Sequence, residues 1–288
     1  MKDECRALAY RQIEVVMADG PVKRTGVIGL GAMGLQMARH MLRGGFEVAG
    51  YDLSAEAARR AQGHGVRICG SAAEVGRQAE VVIVMVATDQ QIGDAIEGSG
   101  LLDALARGAV VCIASSCSPE TCRRIAALAG AKGIGILDTP VVLGQEAADN
   151  GTVTAYVGGD EASVARARPV LAAFSAQVLH VGDVGAGQIT KTINNMLLWS
   201  CLVANFEALS FAKRLGVDIP RLIAALGHGS GANWSLSRWG KSTGKWAEKD
   251  MDVALDLAQH AKMPMPLAGL VDQLVKQINQ ERMKALLS

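Results

Sequence analysis

The chain lacks an excess of charge of either sign. Its 29 Lys and Arg nearly balance 28 Asp and Glu, for a formal net charge of +1, and no basic block stands out. A nucleic-acid partner is therefore not expected, because phosphate binding needs a basic face. No apolar run approaches the roughly 18 residues of a membrane span, so no membrane partner is expected either. The opening Met1-Lys-Asp-Glu-Cys-Arg has no apolar core of the kind a signal peptide carries. The six cysteines (5, 69, 112, 117, 122 and 201) are scattered, and without a secretion signal they read as reduced thiols, which places the protein in the cytoplasm. Cys112, Cys117 and Cys122 are evenly spaced, but zinc ligands come in closer pairs and no neighbouring His completes a set of four. The histidines at 40, 64, 180, 228 and 260 form no ligand pair or triad pattern, so no metal is expected. Internal repeats and low-complexity segments are also missing.

What remains is a chain of 288 residues, half of them hydrophobic, long enough for about two domains with sizeable cores. Residues 1–22 read as an extension ahead of the first strand, and Met17 as well as Met1 could be the natural start. From Lys23 onward apolar strands alternate with helical segments. The strand candidates are Thr25–Leu30, Glu47–Tyr51, Val81–Val86, Val110–Ala114, Ile134–Asp138 and Thr154–Val157. Such alternation predicts an α/β fold with a doubly wound, mostly parallel sheet of Rossmann type over residues 23–186.

The first strand runs straight into Gly29-x-Gly31-x-x-Gly34, after which Met33, Met37, Ala38 and Met41 recur at helical spacing. The first glycine permits a tight turn, the second lets backbone approach a pyrophosphate, and the third lets the helix pack on its strand. The helix N-terminus then offers N–H groups and a positive dipole end to the phosphates. The second strand ends in Tyr51-Asp52, followed by Leu53. An acidic residue roughly 20 positions past the glycines accepts ribose hydroxyls and repels a 2′-phosphate, which favours NAD over NADP. Arg59 and Arg60 keep NADP open, unless they belong to a solvated helix face.

Beyond Gly187 the pattern changes. Apolar residues from Ile189 to Leu215 recur with almost no breaker until Gly216, which predicts one helix of about 28 residues, roughly 42 Å long. A helix so long and so apolar is normally buried between domains or subunits. Ile219–Leu226, Met251–Ala261 and Leu267–Leu287 also read helical, so residues 187–288 form an all-α domain joined to the first by the long helix. At the mouth of that helix Lys191 and Asn195 lie four apart, on one face. Taken alone they suit an ordinary polar stripe. Beside a dinucleotide site, an ammonium able to shift its pKa and a fixed amide suit proton exchange with a hydroxyl or carbonyl.

From about residue 24 to the C-terminus the chain resembles the β-hydroxyacid dehydrogenase family, which includes 3-hydroxyisobutyrate dehydrogenase and tartronate semialdehyde reductase. The resemblance rests on Val-Ile-Gly-Leu-Gly-Ala-Met-Gly at 27–34, Asp-Thr-Pro-Val at 138–141 and Gly-Thr-Val-Thr-Ala-Tyr-Val-Gly-Gly at 151–159. It extends through Gly-x-Gly-x-x-x-Lys-x-x-Asn-Asn at 185–195 and Lys-Asp at 249–250. It implies reversible hydride transfer between a nicotinamide and the hydroxyl-bearing carbon of a small hydroxy acid or semialdehyde, with Lys191 as general acid/base. Asn194 and Asn195 would orient the substrate, Ser116 would line the site near the nicotinamide, and Val142, Leu143 and Gly144 would form the substrate loop. Gly29, Leu30, Gly31, Ala32, Met33 and Gly34, with Asp52 and Leu53, would hold the cofactor, bordered by Val86, Ala87 and Thr88. Lys249 would reach the cofactor and Asp250 the substrate. The resemblance also implies a homodimer or homotetramer and a helical domain that serves substrate binding and dimerisation.

The departures are specific. Where the family runs Asp-Ala-Pro-Val-Ser-Gly-Gly, this chain has Asp138-Thr-Pro-Val-Val-Leu-Gly144, which loses a hydroxyl donor and adds two branched side chains. Ile113 stands where the family often has Asp. A bulkier, more apolar or differently charged acid is the expected substrate. Asn233 is a further substrate-contact candidate. Trp234, Trp239 and Trp246 would either wall a pocket or pack structurally. An imine reductase on the same architecture is an alternative, opposed by Lys191, where those enzymes carry Asp or Tyr. A non-catalytic dinucleotide sensor with a decayed loop is another.

Overall fold

A computed structural model describes residues 21–241 and 244–287. Most of the N-terminal extension, including Cys5 and the possible start at Met17, lies outside the described residues. The chain divides into two compact units, the first ending at Gln188 and the second running over Ile189–Ser288.

The first unit is a nine-stranded sheet: β1 (Arg24–Ile28), β2 (Glu47–Tyr51), β3 (Arg67–Ile68), β4 (Val81–Val84), β5 (Val110–Ile113), β6 (Gly135–Asp138), β7 (Val141–Val142), β8 (Val153–Gly158) and β9 (Ser175–Gly182). Their order is β3-β2-β1-β4-β5-β6-β8-β7, with β9 also paired to β8. Strands β1 to β6 run parallel, whereas β8 is antiparallel to β6 and β7. All four residues of β4 and of β5 are buried, as expected where helices cover both faces of a parallel sheet. Alternate residues serve opposite cores: Val81 and Ile83 join Val27 and Leu30 on one face, while Val82 and Val84 join Ile28 and Ile113 on the other.

Register decides where the chemistry gathers. Ile28 pairs with Tyr51 and Val84, Val84 with Ile113, and Ile113 with Asp138. The residues that follow each strand therefore emerge along one edge of the sheet. That edge carries Gly29–Gly34, Asp52, Val86–Thr88, Ser115–Ser116 and Thr139. The strand order reverses beside β1, and ligands of open α/β sheets bind at such a switch point, outside the carboxyl ends of the strands.

Several expected boundaries move. Gly29 and Leu30 leave β1, because Gly29 takes φ +90° to start the turn. Met85 and Val86 likewise lie beyond β4. Sequence periodicity missed β3, β7 and β9; the first two have only two residues each, too few to show a period.

The second unit is all helix: the continuation of Ala186–Arg214, then Ile219–Leu226, Trp234–Ser237, Ala247–His260, Pro266–Val275 and Gln280–Ala285. Its core gathers Trp199, Leu202, Leu209, Leu236, Met251, Val271 and Met283. Residues 267–287 are two helices, not one: Asn279 takes extended backbone and caps the second, accepting the Arg282 N–H at 2.9 Å. The long helix also corrects an expectation. With 29 residues and a window of mean hydropathy 1.2, it is long and apolar enough by length and composition to cross a membrane. Core helices of soluble proteins meet the same two criteria, so the measure alone assigns no membrane role.

Two glycines of the first turn differ in what surrounds them. A Cβ on Gly34 would lie 1.9 Å from the Gly29 carbonyl oxygen, whereas one on Gly31 would meet nothing within 4 Å. Gly34→Ala should destabilise the first unit by about 1–3 kcal/mol through overpacking, and Gly31→Ala should leave its thermal unfolding midpoint nearly unchanged. Calorimetric melting of both variants checks the contrast.

Candidate active site

The turn after β1 leaves helix Ala32–Arg43 with Gly31 at its N-cap, no side chain bonded to the cap and no acidic residue in the first turn. Its leading N–H groups and dipole end thus lie open to an anion. The space beside Gly31 completes the cradle, since the backbone there carries nothing to obstruct a phosphate. Asp52 stands next to it. One carboxylate oxygen accepts the Leu30 N–H at 2.6 Å and the other the Ser54 N–H at 2.7 Å, which fixes the group at the end of β2. Leu53 is 85% exposed beyond it. Arg59 and Arg60 lie exposed in the last turn of helix Ala55–Gln62, the solvated-face arrangement. These features fit a dinucleotide.

The neighbouring loops are wired together. Ser115 Oγ accepts the Val86 N–H at 2.7 Å, the Ala87 N–H reaches Gln91 Oε1 at 2.9 Å, and Thr88 caps helix Asp89–Gly93. Asp89 accepts from the Ser118 N–H and the Thr121 hydroxyl, so the loop after β4 and the loop carrying half-buried Ser116 hold one another. Cys117 and Cys122, buried with sulfurs 3.3 Å apart, pack beneath. Their mutual contact, then burial, pushes the Cys122 thiol far up, leaving it inert.

Two buried polar residues that sequence reasoning left without a role hold this edge. Asp138 accepts the Gly185 N–H at 2.7 Å and the Gln188 N–H at 2.8 Å, capping the long helix. Burial raises its pKa, against backbone donors led by those of Gly185 and Gln188. Gln188, 2% exposed, accepts the Cys117 N–H and donates to the Ser115 carbonyl at 2.7 Å. An acidic residue at a strand end, ahead of Gly185-x-Gly187, was the available signal.

The substrate-loop candidates behave unequally. Val142 is buried in β7, opposite Thr154. Leu143 is 40% exposed and sits at φ 82°, ψ 0°, a left-handed conformation, followed by Gly144 at φ 77°. A branched residue there costs about 1–3 kcal/mol, and such strain collects at ligand-binding loops. Helix Gly144–Asn150 behind the loop docks on helix Ala32–Arg43: His40 Nε2 lies 3.1 Å from the carbonyls of Ala148 and Asp149, and Gln145 reaches the Ala32 carbonyl.

In the second unit, Lys191, Asn194 and Asn195 are half-buried on the long helix, and Asn194 donates to Asn195 Oδ1 at 3.0 Å. Asp250, in the first turn of helix Ala247–His260, comes to the same place. It takes hydrogen bonds from Trp199 Nε1 at 3.0 Å and from Asn195, and feels the charges of Lys191 and then Lys249. Burial outweighs these and raises its pKa. Lys249 itself is exposed. Asn233 has a structural job: it caps Trp234–Ser237 through the Leu236 N–H and exchanges amide bonds with Asn205. The tryptophans separate. Trp239 is buried with its indole on the Met283 carbonyl, while Trp234 and Trp246 are 45% and 57% exposed beneath Arg238 and Lys245.

Residues 24–182 match the model of the NAD binding domain of 6-phosphogluconate dehydrogenase, and residues 185–286 that of the NAD-binding region of NADP-dependent 3-hydroxyisobutyrate dehydrogenase. The chain belongs to the β-hydroxyacid dehydrogenase family. Within it, the 3-hydroxyisobutyrate dehydrogenase of Pseudomonas aeruginosa is 34% identical over 265 residues, 86% of this chain and 89% of that one. An NAD-dependent L-serine dehydrogenase of the same organism is 31% identical over 88% of this chain and 92% of its own length. A solved Mycobacterium tuberculosis 3-hydroxyisobutyrate dehydrogenase with L-serine superposes with TM-score 0.84 at 27% identity, covering 93% of this chain and all of that one. An imine reductase from Myxococcus stipitatus shares the fold at TM-score 0.67, but at 17% identity. The protein is an NAD(P)-dependent hydroxyacid dehydrogenase, and that reading prevails over the imine reductase and sensor alternatives.

Asp138 can be tested without substrate. In Asp138→Asn one amide hydrogen pair would face a backbone N–H of the long helix, leaving a buried donor unpaired. The cost should be about 1–3 kcal/mol, read as a lowered midpoint in denaturant unfolding with unchanged slope.

Proposed function

We propose that Lys191 is the general acid/base of a dehydrogenase acting on a small hydroxy acid with a bulky or apolar substituent, with NAD as the favoured cofactor. The observation that carries this is the gathering of Lys191, Asn195 and Asp250 on two helices of one unit. An ammonium, an amide and a carboxylate together can hold a hydroxyl and exchange its proton. In the oxidative direction neutral Lys191 takes the hydroxyl proton; in the reductive direction its ammonium polarises the carbonyl oxygen and returns the proton. Asn195 holds the reacting oxygen in line, and Asn194 fixes the Asn195 amide. The nicotinamide, when bound, accepts or supplies the hydride.

The Gly29–Gly34 turn would hold the pyrophosphate and Asp52 the ribose, with Leu53 beside it, Val86, Ala87, Thr88 and Ser116 bordering the nicotinamide, and Lys249 reaching the cofactor. On this reading residues 23–186 bind the dinucleotide, and 187–288 serve substrate binding and dimerisation. The relatives named for 3-hydroxyisobutyrate and L-serine support a small hydroxy acid or semialdehyde as substrate. Val142 and Leu143 support a larger or less polar one than theirs, because the loop presents branched side chains where the family has Ser and Gly. Asn233, already engaged as a cap, drops out of the substrate shell. A cytoplasmic homodimer or homotetramer is the assembly we infer.

Lys191→Ala should abolish turnover of β-hydroxy acids with NAD⁺ while leaving NADH affinity within about twofold; surviving activity within a few-fold removes the proton-transfer role. Asp52→Asn should narrow the preference for NAD⁺ over NADP⁺ by about tenfold, since one like charge near the 2′-phosphate is lost. Paired titrations followed by fluorescence check it.

A further inference from the structure

Four tryptophans occur in the chain, and the one at 199 is bonded differently from its neighbours. It lies eight residues beyond Lys191 and four beyond Asn195 on the long helix. Steps of four residues drift only about 40° around a helix, so the three side chains form one stripe. Trp199 is 6% exposed, and a buried indole N–H needs an acceptor. A backbone carbonyl suffices for that, as Met283 does for Trp239. Trp199 instead donates to an ionisable side chain, Asp250 Oδ2, at 3.0 Å. The same carboxylate takes a hydrogen bond from Asn195 and feels the charges of Lys191 on the long helix and of Lys249, its neighbour on its own helix. One end of the stripe therefore holds the group that the other end uses.

Building on the assignment of Lys191 above, we propose that Trp199 is a positioning residue for the dehydrogenase reaction: its indole N–H fixes the Asp250 carboxylate in the orientation that holds Asn195 and Lys191 for the substrate. Without that donor the carboxylate is free to turn about its terminal torsion, which is a broad and soft one. It then pairs with the Lys191 ammonium, keeping the amine protonated and drawn away from the substrate hydroxyl. The proton affinity of Asp250 rises as well, because burial already raises it and the indole is the largest opposing influence, ahead of Lys191, Asn195 and Lys249.

The indole reports on this directly, with no substrate needed. In ¹H–¹⁵N spectra of the full-length protein, the Trp199 indole signal is assigned by its loss in Trp199→Phe. It should move with pH, with a midpoint above the ordinary Asp value of about 3.9. The movement should vanish in Asp250→Asn and shift to higher pH in Lys191→Ala. An indole signal that ignores pH, or that titrates unchanged in Asp250→Asn, overturns the proposal.

Kinetics with NAD⁺ and the best-turned-over member of a β-hydroxy acid series, running from L-serine and 3-hydroxyisobutyrate to bulkier apolar homologues, supply the second reading. Trp199→Phe should lower kcat about tenfold, the scale of one charge-assisted hydrogen bond. The acid limb should move up by about one pH unit, with KM for NAD⁺ within about twofold of the wild type. Adding Trp199→Phe to Asp250→Asn should cost nothing further, since both changes break the same link. A Trp199→Phe enzyme that melts earlier yet keeps the wild-type kcat and pH profile assigns the residue to packing alone and overturns the proposal. Lys191→Ala on the same plate separates the two layers. Activity in that variant removes the role of Lys191, whereas its inactivity beside an unimpaired Trp199→Phe removes only that of Trp199.

Discussion

One buried carboxylate carries much of the first unit. Asp138 ends β6 and receives the leading N–H groups of the long helix, so the sheet edge and the start of the helix are set by the same group. The geometry permits nothing larger than glycine around it. A Cβ on Gly187 would lie 2.8 Å from the Asp138 carbonyl oxygen, and one on Gly158 would lie 2.4 Å from Oδ1. A charge so enclosed is costly unless donors surround it. Here the donors are backbone amides, one from Gly185 just before the helix and one from Gln188 in its first turn, so the helix start satisfies the acid and the acid caps the helix. Gln188 extends this order to the loop after β5 by bonding Ser115 and Cys117.

The parts of the fold legible from sequence are those with a local physical signature. The glycine spacing at 29–34 has one meaning when a strand precedes it and a helix follows, and both are present. The short apolar runs at 81–84 and 110–113, rich in β-branched residues, read as strands covered on both faces, and both are fully buried strands. The long helix announced itself through the absence of breakers from Ile189 to Gly216. Lys191 and Asn195 were legible because four-residue spacing on a helix guarantees a shared face.

What escaped depends on partners distant in sequence. Strands β3 and β7 exist because a neighbouring strand stabilises two residues that carry no pattern of their own. The break near Asn279 is a capping event inside a stretch that scans as uninterrupted helix. Trp199 looked like one more apolar residue on the long helix, since nothing local shows that an indole will find a carboxylate 51 positions away. Asn233 shows the reverse case: a polar residue before three tryptophans suggests a ligand contact, whereas the structure shows its amide bonded to Asn205 and to a helix end, partners no local pattern announces.

Leu143 has a consequence for how this chain has diverged. Its left-handed backbone is open to glycine without penalty, and the next residue, Gly144, already shows this. Replacement by glycine would relieve strain and remove a half-exposed apolar side chain, so selection for a sturdier protein alone would remove the leucine. Folding therefore gives no reason for its presence. The record of this lineage's specialisation is to be sought where the chain tolerates a less comfortable residue, not where its core is best packed.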